Sequence, residues 1–283
     1  MKRLLFALLC LFGYKAVFAQ TTQMSMACCN ASATESFAQF ASDKSFKMTH
    51  ADPLPFHYSG QQGNDITFKA TDGTDAHGWE IKAATKTNNY LFVIHEWWGL
   101  NDYIKKQSAQ LWKDLGNINI IAIDLYDHKV ATTADEAGQY MQAVKNERAE
   151  AIIKGAINYV GSNAKIYTIG WCFGGGWSLQ ASLLAGNQAA GCIMYYGMPE
   201  KDVNRLKNLH ADVLGLFANK EQWITPAVVD EFAANMKKAG KKLTVYRYDA
   251  VHAFANPSNP NYDKAATADA YQHVMEFMKA RLK

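Results

Sequence analysis

Cys172 is the residue whose setting most clearly implies chemistry. It lies in Ile166-Tyr167-Thr168-Ile169-Gly170-Trp171-Cys172-Phe173-Gly174-Gly175-Gly176-Trp177, where a β-branched run meets a small-x-Cys-x-small turn and a helix-compatible segment, residues 177–185, follows at once. A nucleophile placed where a strand turns sharply into a helix stands out from the backbone on a strained turn, here with sulfur in place of oxygen. Backbone passes close on both sides of such a turn, so its neighbours must lack side chains, a need met by Gly170, Gly174 and Gly175. The first turn of the next helix also directs free N–H groups and a positive dipole end at the sulfur, which favours thiolate over thiol. The alternative is a glycine-rich turn around a buried, inert cysteine. A thiol nucleophile needs a base and a group to orient that base. His252, in Tyr248-Asp249-Ala250-Val251-His252-Ala253-Phe254, suits the base. Glu221, in Phe217-Ala218-Asn219-Lys220-Glu221-Gln222-Trp223, suits the orienting acid, with Asp249 and Asp230 as competitors.

The elements that would position these groups follow from apolar periodicity. Residues 90–95 form a continuous apolar run, the pattern of a parallel strand buried on both faces. It ends in His95-Glu96-Trp97-Trp98-Gly99-Leu100-Asn101, where Asn101 can cap a helix over 102–115. Further strands are expected at 118–125, 190–196, 213–218 and 243–248. Helices are expected over 134–160, broken near Asn146, and over 226–239 and 263–282. Residues 66–71 and 78–83, joined by Asp72-Gly73-Thr74-Asp75, read as a hairpin at a sheet edge. Strands alternating with helices imply an α/β fold with a mostly parallel sheet and helices on both faces. Functional groups then gather beyond the carboxyl ends of the strands, which here carry Glu96, Cys172, Glu221 and His252. Residues 20–65 read as a polar N-terminal extension with one helix near 32–42 and no recognisable chemistry, and 66–283 as the catalytic domain.

Composition narrows the function classes. A chain of 283 residues with 49% hydrophobic content can bury one well-packed α/β domain. Residues 1–19 read as a secretory signal: Lys2-Arg3, an apolar run over 4–12, then Val17-Phe18-Ala19 before Gln20, with cleavage expected near Ala19 and export to the periplasm or medium. Lys2, Arg3 and Lys15 carry the whole formal charge of +3, so the mature chain is close to neutral. No basic stripe suggests nucleic acid, and no stretch is long and apolar enough to span a bilayer. Export leaves Cys28, Cys29, Cys172 and Cys192. The first two are sequence neighbours, poorly spaced for a disulfide, and Cys192 sits in a buried-strand pattern. No metal-ligand spacing and no cofactor motif is visible, and the proposed chemistry requires neither.

These residues resemble the dienelactone hydrolase family of α/β-hydrolases over roughly residues 66–283. The resemblance is carried by His95-Glu96-Trp97-Trp98-Gly99-Leu100-Asn101, Ile123-Asp124-Leu125-Tyr126, Gly170-Trp171-Cys172-Phe173-Gly174-Gly175 and His252-Ala253-Phe254, and the chain order nucleophile, acid, histidine agrees with it. It implies that Cys172 attacks an ester or lactone carbonyl, that His252 moves the proton, that Glu96 holds the resting thiol, and that the N–H groups of Trp97 and Phe173 form an oxyanion hole. Two departures matter. Glu221 stands where the family usually has aspartate. His128 and Asn256 stand where members that take carboxylated substrates resemble one another in having arginines, so a less charged ester or lactone is expected. Trp98, Tyr126, Trp171, Trp223 and Phe254 flank the site and, with His128 and Asn256, are candidates for the pocket wall. The expected partner is a small-molecule ester or lactone substrate, and the chain is expected to be a monomer or weak homo-oligomer. The remaining alternatives are an exported thiol redox protein, disfavoured by the lack of a Cys-x-x-Cys pair, and a non-catalytic binding protein on the same fold.

Overall fold

A computed structural model describes residues 32–282, so the leader, its expected cleavage point after Ala19, and Cys28 and Cys29 lie outside the described residues. Among the described residues eight strands form one sheet: β1 (Asn64–Lys69), β2 (Asp75–Ile81), β3 (Asn89–Ile94), β4 (Asn119–Asp124), β5 (Lys165–Trp171), β6 (Ala189–Tyr195), β7 (Val213–Ala218) and β8 (Leu243–Tyr248), in the order β1-β2-β4-β3-β5-β6-β7-β8. The β1–β2 hairpin lies at one edge and pairs antiparallel with β4, while every pairing from β4 to β8 is parallel. The helices are α1 (Ala33–Ala38), α2 (Lys44–Met48) after a 3-10 turn at Gln39–Ser42, α3 (Asp102–Leu115), α4 (Ala134–Ala143), α5 (Asn146–Val160), α6 (Phe173–Ala185), α7 (Val203–Leu206), α8 (Pro226–Lys238) and α9 (Lys264–Arg281). Among the described residues no helix is long and apolar enough to cross a membrane.

Local chemistry explains the elements. All six residues of β4 and of β7 are buried, which is why these segments read as unbroken apolar runs. Asn101 caps α3 by accepting from the Ile104 N–H at 3.1 Å, and Thr225 with Pro226 opens α8. The expected break in the 134–160 helical region falls at Val144–Lys145. α6 begins at Phe173, four residues earlier than its propensity suggests. The glycines that weaken it as an isolated helix are required by contacts: a Cβ on Gly170 would lie 2.0 Å from the Gly174 carbonyl oxygen, and one on Gly174 would lie 2.2 Å from the Ile94 carbonyl oxygen.

The N-terminal segment holds more structure than its sequence suggests. Its described part, residues 32–65, holds the expected helix as α1 running into the 3-10 turn, adds α2, and belongs to the same compact unit as the sheet. Its sequence is polar on average, but Phe37 and Phe46 are fully buried. It is tied down by hydrogen bonds from Thr34 Oγ1 to Asn146 (2.7 Å), from Gln142 to Ser42 (2.6 Å) and from Asn259 to the Thr49 carbonyl (3.1 Å). The four-residue α7, capped by Asp202, was not anticipated, being too short for periodicity to reveal.

Gly174→Ala is expected to destabilise the protein by about 3 kcal/mol or more, because the added methyl meets backbone rather than a movable side chain. Urea unfolding checks this, and an unchanged midpoint would show that the strand–helix joint can relax.

Candidate active site

Cys172 has φ 56° and ψ −118°, a conformation that side chains rarely adopt. It is held there from both sides. Its N–H donates to the Tyr195 carbonyl at 3.0 Å, and its carbonyl accepts from Gly175 N–H at 3.0 Å and Gly176 N–H at 3.3 Å. His252 Nε2 lies 3.2 Å from Cys172 Sγ, and His252 Nδ1 lies 2.6 Å from Glu221 Oε2. Glu221 Oε1 in turn accepts from the Trp223 N–H at 3.2 Å. Asp249 and Asp230 are drawn elsewhere, to Lys220 and Arg247, so Glu221 is the carboxylate on the imidazole.

Charge in this cluster is set by burial and by mutual contact. Burial pushes the Cys172 thiol up, against the pull of His252, and a nearby Glu96 anion adds to the rise. Burial disfavours charge on His252, but Glu221 and Cys172 outweigh it and hold the imidazole well above its ordinary value. Glu221 likewise resists burial and stays below the usual carboxylate range through His252 and two backbone N–H groups. Glu96 is the exception. Burial raises it to about 7, against opposing contributions from His252, Tyr196 and Asn256. Asn256 Nδ2 donates to Glu96 Oε2 and the Tyr196 hydroxyl reaches Oε1 at 3.4 Å.

The backbone beside Glu96 is fixed by His95. Its Nδ1–H donates to the Glu96 carbonyl at 2.6 Å, and its Nε2 accepts from Leu125 N–H at 3.1 Å, tying the ends of β3 and β4 together. Gly174 packs on the Ile94 and His95 carbonyls, so the start of α6 abuts the strand end that carries Glu96 and Trp97. The Phe173 N–H is directed at the Cys172 sulfur.

Other expected pocket residues divide. Trp98, Trp171 and Asn256 line a cleft with Glu96 that is constricted to room for about one water. Among the described residues no lysine or arginine lines it. Trp223 lies over His252 at 5.9 Å between ring centres. Tyr126 is buried against His95 and Phe173, with its hydroxyl unpaired, and lines a separate pocket beside α4. Two expectations are corrected. His128 packs against His77, ring centres 3.7 Å apart and planes tilted by 38°, with a largely exposed side chain, because the turn after Asp124 carries it outward to the hairpin. Phe254 is fully buried behind Tyr196 and Tyr248, so it packs the core and does not line the cleft.

Residues from the N-terminal segment complete the enclosure, which the sequence reading missed. His50 lies 5.1 Å from His252 and 4.6 Å from Trp97, between ring centres, and Phe46 lies 5.7 Å from His252. Asp43 accepts from the Trp223 indole N–H at 3.3 Å. Cys172 and His252 are each only 1% exposed. The one available signal was a cluster of aromatic residues, Phe37, Phe40 and Phe46, in an otherwise polar stretch.

A model of the dienelactone hydrolase family matches residues 81–282. The chain belongs to that family. Its reaction class is hydrolysis of ester or lactone bonds. A protein of Saccharolobus solfataricus, named provisionally as a carboxymethylenebutenolidase, is 28% identical over 249 residues, covering 72% of this chain and 96% of its own. Carboxymethylenebutenolidase 1 of Cupriavidus pinatubonensis is 24% identical over 215 residues, covering 70% and 88%. Among solved structures, the dienelactone hydrolase-like promiscuous phosphotriesterase P91 from metagenomic libraries superposes with a TM-score of 0.67 at 20% identity, covering 78% of this chain and 99% of that one. The dienelactone hydrolase of Anabaena variabilis superposes at 0.56 and 16% identity, covering 79% and 100%. These likenesses show that the fold is shared.

Glu96 yields a pH-dependent prediction. Its folded-state value of about 7 lies above the ordinary 4.5, so folding is penalised by its ionisation. The penalty is small near pH 4.5, grows as pH rises, and is full above 7, with an upper size of about 3 kcal/mol. Glu96→Gln is therefore expected to be more stable than wild type at pH 8, with the advantage mostly gone at pH 5. Urea unfolding at both pH values checks it, and a pH-independent difference would contradict the assignment.

Proposed function

We propose that this dienelactone hydrolase-family protein is an exported enzyme that cleaves small, weakly charged esters or lactones with Cys172 as nucleophile. The observation that carries the reading is the continuous relay from Cys172 Sγ through both nitrogens of His252 to Glu221, at 3.2 and 2.6 Å, on a strained strand–helix turn. In this reading the neutral form of His252, made a stronger base by Glu221, takes the thiol proton on Nε2 as Sγ bonds to the carbonyl carbon. It then gives that proton to the departing alkoxide. Water repeats the cycle on the thioester, releasing the acid and restoring the thiol. Glu221 fixes the imidazole and stabilises its charged form. Trp97 and Phe173 N–H groups receive the oxyanion. Glu96 keeps the sulfur protonated until a substrate arrives, and so limits oxidation of an exported thiol.

The substrate class rests on what surrounds Glu96. The Asn256 side chain is used internally at both ends: its amide donates to Glu96, and its oxygen accepts from Ser258 N–H at 2.9 Å and Ser258 Oγ at 2.8 Å. With no lysine or arginine among the described residues that line the cleft, a carboxylated substrate gains no ion pair from them there. Neutral aryl esters and simple lactones are expected to be turned over with higher kcat/KM than their carboxylated analogues. Cys172→Ala and His252→Ala are expected to lower kcat by about 10⁴-fold or more, and Glu221→Gln by roughly 10³–10⁴-fold. Steady-state kinetics on a small ester and lactone panel under reducing conditions tests all three. Wild-type activity surviving in Cys172→Ala would refute the nucleophile. An inactive wild type whose Cys172 alkylates rapidly would favour a redox or binding role.

Export rests on the pattern of residues 1–19. N-terminal sequencing of protein recovered from the periplasm or medium is expected to begin at Gln20, and an uncleaved chain confined to the cytoplasm would remove this part of the proposal.

A further inference from the structure

His50 has an unusual combination of properties for a residue outside the expected site. Its ring is wedged against Phe46 at 4.3 Å and Trp97 at 4.6 Å, and it is 2% exposed. Nδ1 lies 2.7 Å from the Phe46 carbonyl oxygen. A carbonyl only accepts, so the proton is on Nδ1 and Nε2 carries a lone pair. That Nε2 is buried without a hydrogen-bond partner among the described residues. A buried acceptor left unpaired costs stability unless something fills it. Burial, with the charge of His252, lowers the His50 pKa to about 3, so the lone pair is present across the physiological range.

One donor atom each from His50, Cys172 and His252 lie within 4.8 Å of one another. We propose that His50 Nε2, Cys172 Sγ and His252 Nε2 form a binding site for a thiophilic divalent cation of the zinc class, which clamps the N-terminal helices over the nucleophile and stops turnover. The block on turnover rests on Cys172 being the nucleophile; the binding does not.

The donor set selects the metal. One sulfur and two imidazoles suit zinc and its neighbours, and offer nothing to calcium or magnesium, which require oxygen ligands. A zinc ion with bonds of about 2.3 Å to sulfur and 2.0–2.1 Å to nitrogen draws the widest pair of donors together by about an ångström, within the reach of small rotamer changes. A fourth, tetrahedral position remains for water. Both imidazoles already have the outer partner that metal-bound histidines use. His252 Nδ1 pairs with Glu221, and His50 Nδ1 donates to a backbone carbonyl. Binding forms one metal–sulfur and two metal–nitrogen bonds, and the proton on Sγ, with any proton on His252 Nε2, passes to solvent. No electron moves. His50 follows α2 while the other two donors stand on the sheet body, so the ion cross-links the covering segment to the core it covers.

The test uses the full chain, reduced, titrated with Co²⁺ and then Zn²⁺. The expected result is one Co²⁺ per chain with thiolate-to-cobalt charge-transfer absorption, displaced by Zn²⁺ and absent in Cys172→Ala. His50→Asn keeps a donor for the Phe46 carbonyl but lacks the imidazole lone pair, and is expected to weaken binding at least tenfold, about the loss seen even for outer partners. No charge-transfer band in wild type, a band that survives Cys172→Ala, or undiminished affinity in a folded His50→Asn would each overturn the site. Should His50→Asn fail to fold, X-ray absorption on zinc-loaded wild type decides: one sulfur and two imidazoles support the site, one imidazole refutes it. Because the readout is spectroscopic, absence of ester turnover would sink the hydrolase reading without touching this one.

Discussion

The structure depends on a place where three backbones touch without side chains between them. Gly170 meets the carbonyl of Gly174, Gly174 meets the carbonyls of Ile94 and His95, and Gly175 lies against Tyr195 and Gly197. These contacts set α6 into the sheet between the ends of β3 and β6. They force Cys172 into the left-handed region, and the hydrogen bonds to Tyr195, Gly175 and Gly176 hold it there. The strain is local, and the surrounding packing over-determines it. A side chain anywhere in this joint would separate the sulfur from the strand end that carries Glu96 and Trp97.

Around that joint the protein gathers an unusual density of buried titratable groups: Cys172, His252, Glu221, Glu96 and His50. Each is costly alone and tolerable in combination. Glu221 and His252 offset each other's burial. Burial outweighs the pull of His252, Tyr196 and Asn256 on Glu96, which rises to about 7. His50 remains neutral. The result is a dry cluster whose protons can be redistributed over short distances, covered by Phe46, Trp223 and His50. Cys172 and His252 are each only 1% exposed, so this cluster is shut off from bulk solvent.

Much of this was legible in the sequence, and the limits have physical causes. The buried parallel strands announce themselves through continuous apolar runs, and the turn at Cys172 through its glycines, because both are local consequences of packing. The groups at the strand ends, Glu96, Glu221 and His252, follow once the sheet is parallel. His128 could not be placed, since its direction is set by the positive φ of Asp127 and His128 in the turn after Asp124. Phe254 and Asn256 sit two residues apart, yet one packs the core and the other fastens Glu96, a difference that depends on loop geometry. His50 was invisible for a different reason. It lies 122 residues from Cys172 and 202 from His252 in the chain, and the polar composition of its segment concealed the few aromatic residues that anchor it.

The central claim is that Cys172 becomes acylated through His252. The most direct measurement is intact mass spectrometry, with peptide mapping, of protein quenched within the first turnover of a slowly deacylating aryl ester. The account predicts a transient mass increase of one acyl group on Cys172 that decays as acid appears and fails to form in His252→Ala. Hydrolysis proceeding with no adduct on Cys172, or with the acyl group on another residue, would contradict it.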